Sequence, residues 1–307
     1  MIITLKWHIK NRKANEKMVL TSFNYSPLSL GILIISKLFG IKRANFFTDL
    51  STDIINNKRQ KDIVFIKRIL LPLYLKLVKY IESNYDLYIL FTKPMNTRVN
   101  PKNKPYLVME GIYNNELELS KVQKKKAIMY AGTLSHEYGI KNILDAFEQL
   151  EDNEIELWLF GDGDMKKYIN DICLRDQRIQ FFGFRPHEEV FKYEKMATLL
   201  INVRNSDEEY TAYSFPSKTF EYMVSGTPFL TTKLKGIPEE YYSYLYTIES
   251  TNATSLKHKI EEIFTKPEYE LKNFGLRARE FILNEKNSDI QAKRIVEFIR
   301  EKFECVE

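Results

Sequence analysis

The sequence predicts an α/β protein of parallel sheets with helical crossovers, arranged as two doubly wound units. Three observations carry that prediction. Short apolar runs alternate with helical patterns along most of the chain, the signature of strands joined through helices. The length, 307 residues, suits two domains of ordinary size. The charge also divides in two: residues 1–118 carry 19 Lys and Arg against 9 Asp and Glu, whereas residues 119–307 carry 27 against 32. A basic first part and an acidic second part imply two units with different surfaces.

The elements follow in order. Residues 18–23 (MVLTSF) read as a buried strand, and 27–39 (PLSLGILIISKLF) as a helix with Pro27 in its first turn. Strand 44–48, a long helical stretch over 61–83, and strands 86–91 and 106–110 complete a first unit that looks short. The charged segment 119–126 reads as a junction. Beyond it come strand 127–131, helix 139–150, strand 155–160, helix 165–173, strand 179–182 and a helix from Pro186. Strand 198–203 opens a polar loop, 204–217. Helix 217–225 ends at Gly226, a suitable C-terminal cap. Strands at 228–231 and 245–248 and helices at 252–265, 268–284 and 287–304 finish the chain. The expected domains are therefore a partial unit at 1–118, a complete one at 119–286, and a final helix, 287–307, that crosses back to the first.

Composition excludes several classes. A chain with 44% hydrophobic and 28% charged residues can build packed cores, and 11 Gly with 10 Pro are too few for a fibrous chain. Two cysteines, Cys173 and Cys305, make neither a disulfide scaffold nor a cysteine-rich metal site, and they point to a reducing compartment. No apolar run reaches the roughly 18 residues of a transmembrane helix. The opening MIITLKWHIKNRK lacks an apolar stretch of signal-peptide length. A cytoplasmic protein is expected, at most peripheral on the inner face of the plasma membrane.

Parallel sheets bind ligands at the carboxyl ends of their strands. Three glycine turns sit there: Gly132 with Thr133, Gly161 with Gly163, and Gly183 before Phe184. Such turns let backbone approach a phosphate, and they also serve plain βα geometry. In YSFPSKTFEYMVSGTP, Lys218 and Glu221 are three apart on one helix face. The lysine suits a phosphate and the glutamate suits two ribose hydroxyls; an exposed ion pair of small worth fits the spacing equally well.

The ordered run YAGTLSHEYGIKNILDAF, WLFGDGD, IQFFGF and FPSKTFEYMVSGTPFL resembles family 4 glycosyltransferases of the GT-B fold over roughly residues 105–250. Its most specific part, PSKTFEYMVSGTP, is similar to the PSK-x-x-EY variant of enzymes that build bacterial surface polysaccharides. FFTDLSTD and LFTKPMNTRVNPKNKPYLVMEGI resemble the later part of that family's first domain. The resemblance implies a retaining transferase of hexosyl type. A nucleotide-sugar donor, expected to be a UDP-sugar, binds the second domain, and a glycan or lipid-linked acceptor binds the first. It places Gly132, Thr133, Gly161 and Gly163 beneath the diphosphate. Ser214, Phe215, Pro216 and Ser217 face diphosphate and sugar, and Phe184 and Arg185 lie near the base. Lys218 meets a phosphate, and Glu221 holds the ribose. Three positions depart from the family pattern: Tyr213 stands where a first glutamate is usual, Thr133 where an Arg is common, and Tyr138 where a Lys precedes Gly139.

The front of the family's first domain has no counterpart here. That favours a rival reading, a truncated or inactive donor-binding half that works beside a partner chain. Transfer of this type needs no metal or cofactor, because positive groups can stabilise the departing diphosphate. The D-G-D of Asp162 and Asp164 suits a turn better than a metal site. Asp49, just after a strand, is a candidate acceptor contact or base. His136 is read as a solvated loop residue or a phosphate contact, and His187 as local structure at a helix start. Lys61, Arg68, Lys76 and Lys79, beside the apolar series Ile63, Ile66, Ile69, Leu70, Leu73, Leu77 and Ile81, form a basic amphipathic helix. That helix lies on an anionic membrane or packs on the sheet with a solvated rim. Nucleic acid is not expected as a partner, since no aromatic residues interleave the basic ones as in a known module.

Overall fold

The computed structural model describes residues 18–24, 28–50, 65–114 and 122–304. It divides into two compact units. One comprises Met1–Glu110, Ala212–Phe215 and Ala292–Glu307; the other comprises Gly111–Thr211 and Pro216–Gln291.

In the first unit the chain runs β1 (Val19–Phe23), α1 (Leu28–Phe39), β2 (Lys42–Phe47), α2 (Phe65–Glu82), β3 (Leu87–Leu90), α3 (Met95–Val99) and β4 (Tyr106–Val108). The four strands pair in parallel in chain order. Strand β3 is buried throughout, so it reads as a continuous apolar run rather than an alternating one. Phe47 and Tyr88 stack at 5.8 Å beneath one face of the sheet, and the Tyr88 hydroxyl donates to the Glu82 carbonyl at 3.0 Å. Ile295, Phe298 and Ile299 of the final helix pack beside Ala44, Leu87, Ile89 and Met109.

Helix α2 corrects part of the amphipathic reading. Ile63 and Lys61 lie outside the described residues, as do the side chains of Ile66, Arg68, Ile69 and Leu70. Lys76 and Lys79 are exposed. The apolar series splits, however: Ile81 is 1% exposed, whereas Leu73 and Leu77 are 67% and 40% exposed. Val78 and Ile81 supply the buried face near the end of this helix.

The second unit runs β5 (Lys125–Ala131), α4 (Ile140–Phe147), β6 (Glu156–Phe160), α5 (Lys166–Cys173), β7 (Ile179–Gly183), α6 (His187–Met196), β8 (Ala197–Asn202) and, after a short helix α7 (Tyr210–Tyr213) that belongs to the first unit from Ala212 on, α8 (Lys218–Val224). Then come β9 (Phe229–Thr232), β10 (Tyr246–Ile248), α9 (Ala253–Phe264), α10 (Glu268–Glu285) and α11 (Ser288–Glu304), whose later part belongs to the first unit. Six parallel strands lie in the order β10-β9-β8-β5-β6-β7. That is the doubly wound order of a dinucleotide-type sheet, and its winding reverses between β5 and β8. One face of the sheet is filled by Ile128, Tyr130, Leu157, Leu159, Leu199 and Ile201 under Ile143, Leu144, Ile169 and Leu256. Among the described residues no helix is long and apolar enough to cross a membrane.

Candidate functional site

The carboxyl ends of β5, β6 and β7 are laced together by backbone. Gly132 N–H donates to the Phe160 carbonyl at 3.0 Å, Leu134 N–H to Asp162 at 2.9 Å, and Gly161 N–H to Gly183 at 2.9 Å. Gly161 has φ +125°, and a Cβ there would overlap the Gly132 carbonyl oxygen. Gly161 thereby lies against Gly132, and Gly163 lies as close to the Leu134 backbone, so these strand ends present a floor of backbone. Asp162 Oδ1 accepts the Gly163 N–H at 2.9 Å, an ordinary turn, and no group of three metal-binding side chains occurs among the described residues.

Helix α8 delivers the charged part of the site. Glu221, whose side chain is 16% exposed, places Oε2 at 2.6 Å from Lys218 Nζ. Its Oε1 lies 2.7 Å from His187 Nε2 at the start of α6, close in distance but without the alignment of a hydrogen bond. A lysine from the same helix and a histidine 34 residues earlier thus lie at one carboxylate. Lys218 is not a free cation: it donates to Glu221. Behind them Glu194 is fully buried, and neither carboxylate oxygen has a hydrogen-bond partner. Burial holds its carboxyl well above the usual range; the charge of Glu221 adds to that and Lys218 opposes it.

Tyr222 fixes where this helix sits. Its hydroxyl accepts the Ala131 N–H at 2.7 Å and donates to the Ala131 carbonyl at 3.2 Å. The β5–β8 ladder stops at Met129 and Leu200, so the phenol takes the place of the next rung. One buried side chain thereby ties Glu221 to the strand that ends in Gly132.

The remaining residues singled out from the sequence are distributed as follows. Thr133 is exposed, and its carbonyl accepts from Tyr130 Oη at 2.9 Å. Phe184 is 84% exposed beyond β7, a large ring offered to solvent. Arg185 donates to the Phe182 carbonyl at 3.0 Å. Pro216 is buried and Ser217 exposed in the same unit, while Ser214 and Phe215 fall in the other. Asp49 also belongs to that other unit; it is exposed and accepts from Thr48 Oγ1 at 3.1 Å. Tyr213, again in that unit, accepts from Arg98 Nε at 3.0 Å. His136 is exposed.

His187 is more than local structure, since it faces Glu221. Tyr222, Glu194 and Arg204 were not singled out from the sequence at all. Only Tyr222 had a signal within reach, its place beside Glu221 in the E-Y pair.

Comparison with known proteins agrees with this geometry. The family described as glycosyl transferases group 1 matches residues 114–281. An uncharacterized glycosyltransferase of Methanocaldococcus jannaschii is 24% identical over 183 residues, a match that spans 55% of this chain and 41% of that protein. Among solved structures, sucrose-phosphate synthase from Thermosynechococcus elongatus superposes with TM-score 0.61 at 17% identity, covering 98% of this chain and 77% of that one. Anabaena HepE in complex with UDP-glucose gives TM-score 0.63 at 14% identity, covering 92% and 78%. These likenesses carry the two-domain GT-B fold.

Proposed function

The chain belongs to the group 1 glycosyl transferases, and on that premise we propose that it is a retaining glycosyltransferase of the family 4 type. It moves a sugar from a UDP-sugar to a glycan or lipid-linked acceptor in surface-polysaccharide synthesis. The observation that carries this reading is the Glu221 carboxylate, bound by Lys218 and facing His187 at the carboxyl end of a doubly wound sheet.

The chemistry follows from what these groups can do. The glycine floor lets a diphosphate come close to backbone. Glu221 accepts two ribose hydroxyls when the nucleotide enters. Lys218, three residues earlier on α8, turns from Glu221 toward the phosphates. The departing diphosphate, stabilised by positive groups, takes the proton of the incoming acceptor hydroxyl on the same face, so configuration is retained. No protein nucleophile and no metal enters this scheme.

A second reading, a donor-binding half that transfers sugar only beside a partner chain, is favoured by Tyr213, which leaves the site without the usual first glutamate. Exposed Lys76, Lys79, Leu73 and Leu77 on α2 favour an anionic membrane as the place where a lipid-linked acceptor is met.

Calorimetric titration with UDP, GDP and several UDP-sugars, beside Glu221→Ala, tests the reading. Binding of a uridine nucleotide that is lost in the variant, together with turnover of one UDP-sugar, supports it. Binding without turnover by the chain alone favours the half-enzyme. Failure of every nucleotide to bind refutes both.

A further inference from the structure

The sheet order β10-β9-β8-β5-β6-β7 reverses its winding between β5 and β8, the place at which sheets of this kind leave a crevice between the carboxyl ends of two strands. Arg204 stands two residues past the end of β8 and at that crevice. The preceding residue fixes its approach. Gly139, with φ +75°, lies so close to the Val203 carbonyl that any Cβ would overlap the oxygen. The β8 end is thus held against the 132–139 loop that leaves β5.

The Arg204 guanidinium carbon lies 4.7 Å from the centroid of the Tyr138 ring. Tyr130 and Tyr210 also feel its charge. Both of those hydroxyls are committed to the same loop: Tyr130 donates to the Thr133 carbonyl at 2.9 Å, and Tyr210 to the Glu137 carbonyl at 3.1 Å. Arg204 therefore sits among phenols already engaged elsewhere.

Among the described residues nothing takes up its hydrogen-bonding capacity. Nε is buried and has no partner, and no carboxylate lies within ion-pair distance of Arg204 among the described residues. The neighbouring cations differ in this respect. Lys218 is bound to Glu221, Lys166 approaches Asp162 at 3.6 Å, and Arg185 approaches Glu189 at 3.9 Å. A guanidinium has five donors in a rigid fork that matches a phosphate bidentately. Stacking on a ring fixes its plane while leaving the edge open. The flanking positions, Thr133 and Tyr138, carry no charge of their own.

We infer that Arg204 binds the donor diphosphate from the β8 side of the crevice, and that it supplies the positive charge which Thr133 and Tyr138 lack. The inference rests on the donor-site reading given above. It makes Arg204 a substrate-contacting residue that stabilises the leaving group, with Tyr138 as the platform that orients it.

The test compares UDP with uridine. UDP affinity is measured by calorimetry, and the weak binding of uridine by ligand-observed NMR, for the wild type, Arg204→Gln and Arg204→Lys. The expected loss in Arg204→Gln is about 10- to 150-fold for UDP, the worth of one charge-assisted interaction, with uridine unchanged. Arg204→Lys, which keeps the charge and loses the fork, falls between. Adding Tyr138→Lys to Arg204→Gln restores much of the UDP affinity. A wild type that binds neither ligand overturns the donor-site reading itself. A wild type that binds UDP, with Arg204→Gln binding it equally well, overturns the inference alone. Equal losses for UDP and uridine also overturn it, by making Arg204 a packing residue. Should Arg204→Gln fail to fold, Arg204→Lys decides the matter by the same UDP-to-uridine ratio.

Discussion

Replacing Tyr222 by Phe removes one oxygen and keeps the ring's shape. The ring is 0% exposed, and its hydroxyl serves both the N–H and the C=O of Ala131, itself 3% exposed. No water reaches either group once the oxygen is gone. A buried donor or acceptor left without its partner costs about 1–3 kcal/mol. The missing oxygen leaves little cavity, so the hydrogen-bond loss dominates. Taking about 2 kcal/mol, and a urea slope of about 2–3 kcal/mol/M for a unit of this size, the midpoint falls by about 0.7–1 M. Trp158 reports on this unit from among Phe182 and Tyr193, so its fluorescence in a Trp7→Phe background follows the transition. Tyr193→Phe is the control, because no hydrogen bond of the Tyr193 hydroxyl exists among the described residues; its midpoint stays within about 0.2 M, as a neutral substitution should. If Tyr222→Phe matches that control at unchanged slope, the hydroxyl does not bridge Ala131, and the account of how α8 is fixed to β5 is wrong.

Glu194→Gln tests the buried acid. A carboxyl whose folded pKa is raised contributes full stability below its unfolded value of about 4.3, and loses it as pH rises toward the folded value, by at most about 1.4 kcal/mol per unit. The wild type should therefore lose urea resistance from about pH 5 upward relative to the glutamine variant. Parallel profiles for the two proteins would remove Glu194 as the titrating group. On α2, Lys76→Glu together with Lys79→Glu should weaken flotation with anionic vesicles by at least about tenfold, with neutral vesicles unaffected. Equal flotation of variant and wild type would take these lysines off any membrane face.

Much of the second unit was legible in the sequence for a physical reason. Buried parallel strands such as β6 and β8 are apolar along nearly their whole length, and each ends in a turn or a polar loop. A short apolar run between helical patterns is then read as a strand without ambiguity of face. The Lys218–Glu221 pair was legible because a helix brings residues three apart together. Helix α2 shows where that same rule stops. Steps of four residues overshoot a turn of 3.6, so a series at that spacing rotates by about 40° each time. From Leu73 to Ile81 the drift is roughly 80°, enough to carry the stripe from solvent into the core. The site's other partners were not legible because no local spacing encodes them. His187 meets Glu221 across 34 positions of chain, Tyr222 meets Ala131 across 91, and Arg204 meets Tyr138 across 66. Each of these contacts exists because the sheet reverses its winding between β5 and β8 and brings the ends of distant strands together. A motif in sequence therefore names the residues that share one element, while the topology of the sheet decides which charges those residues will face.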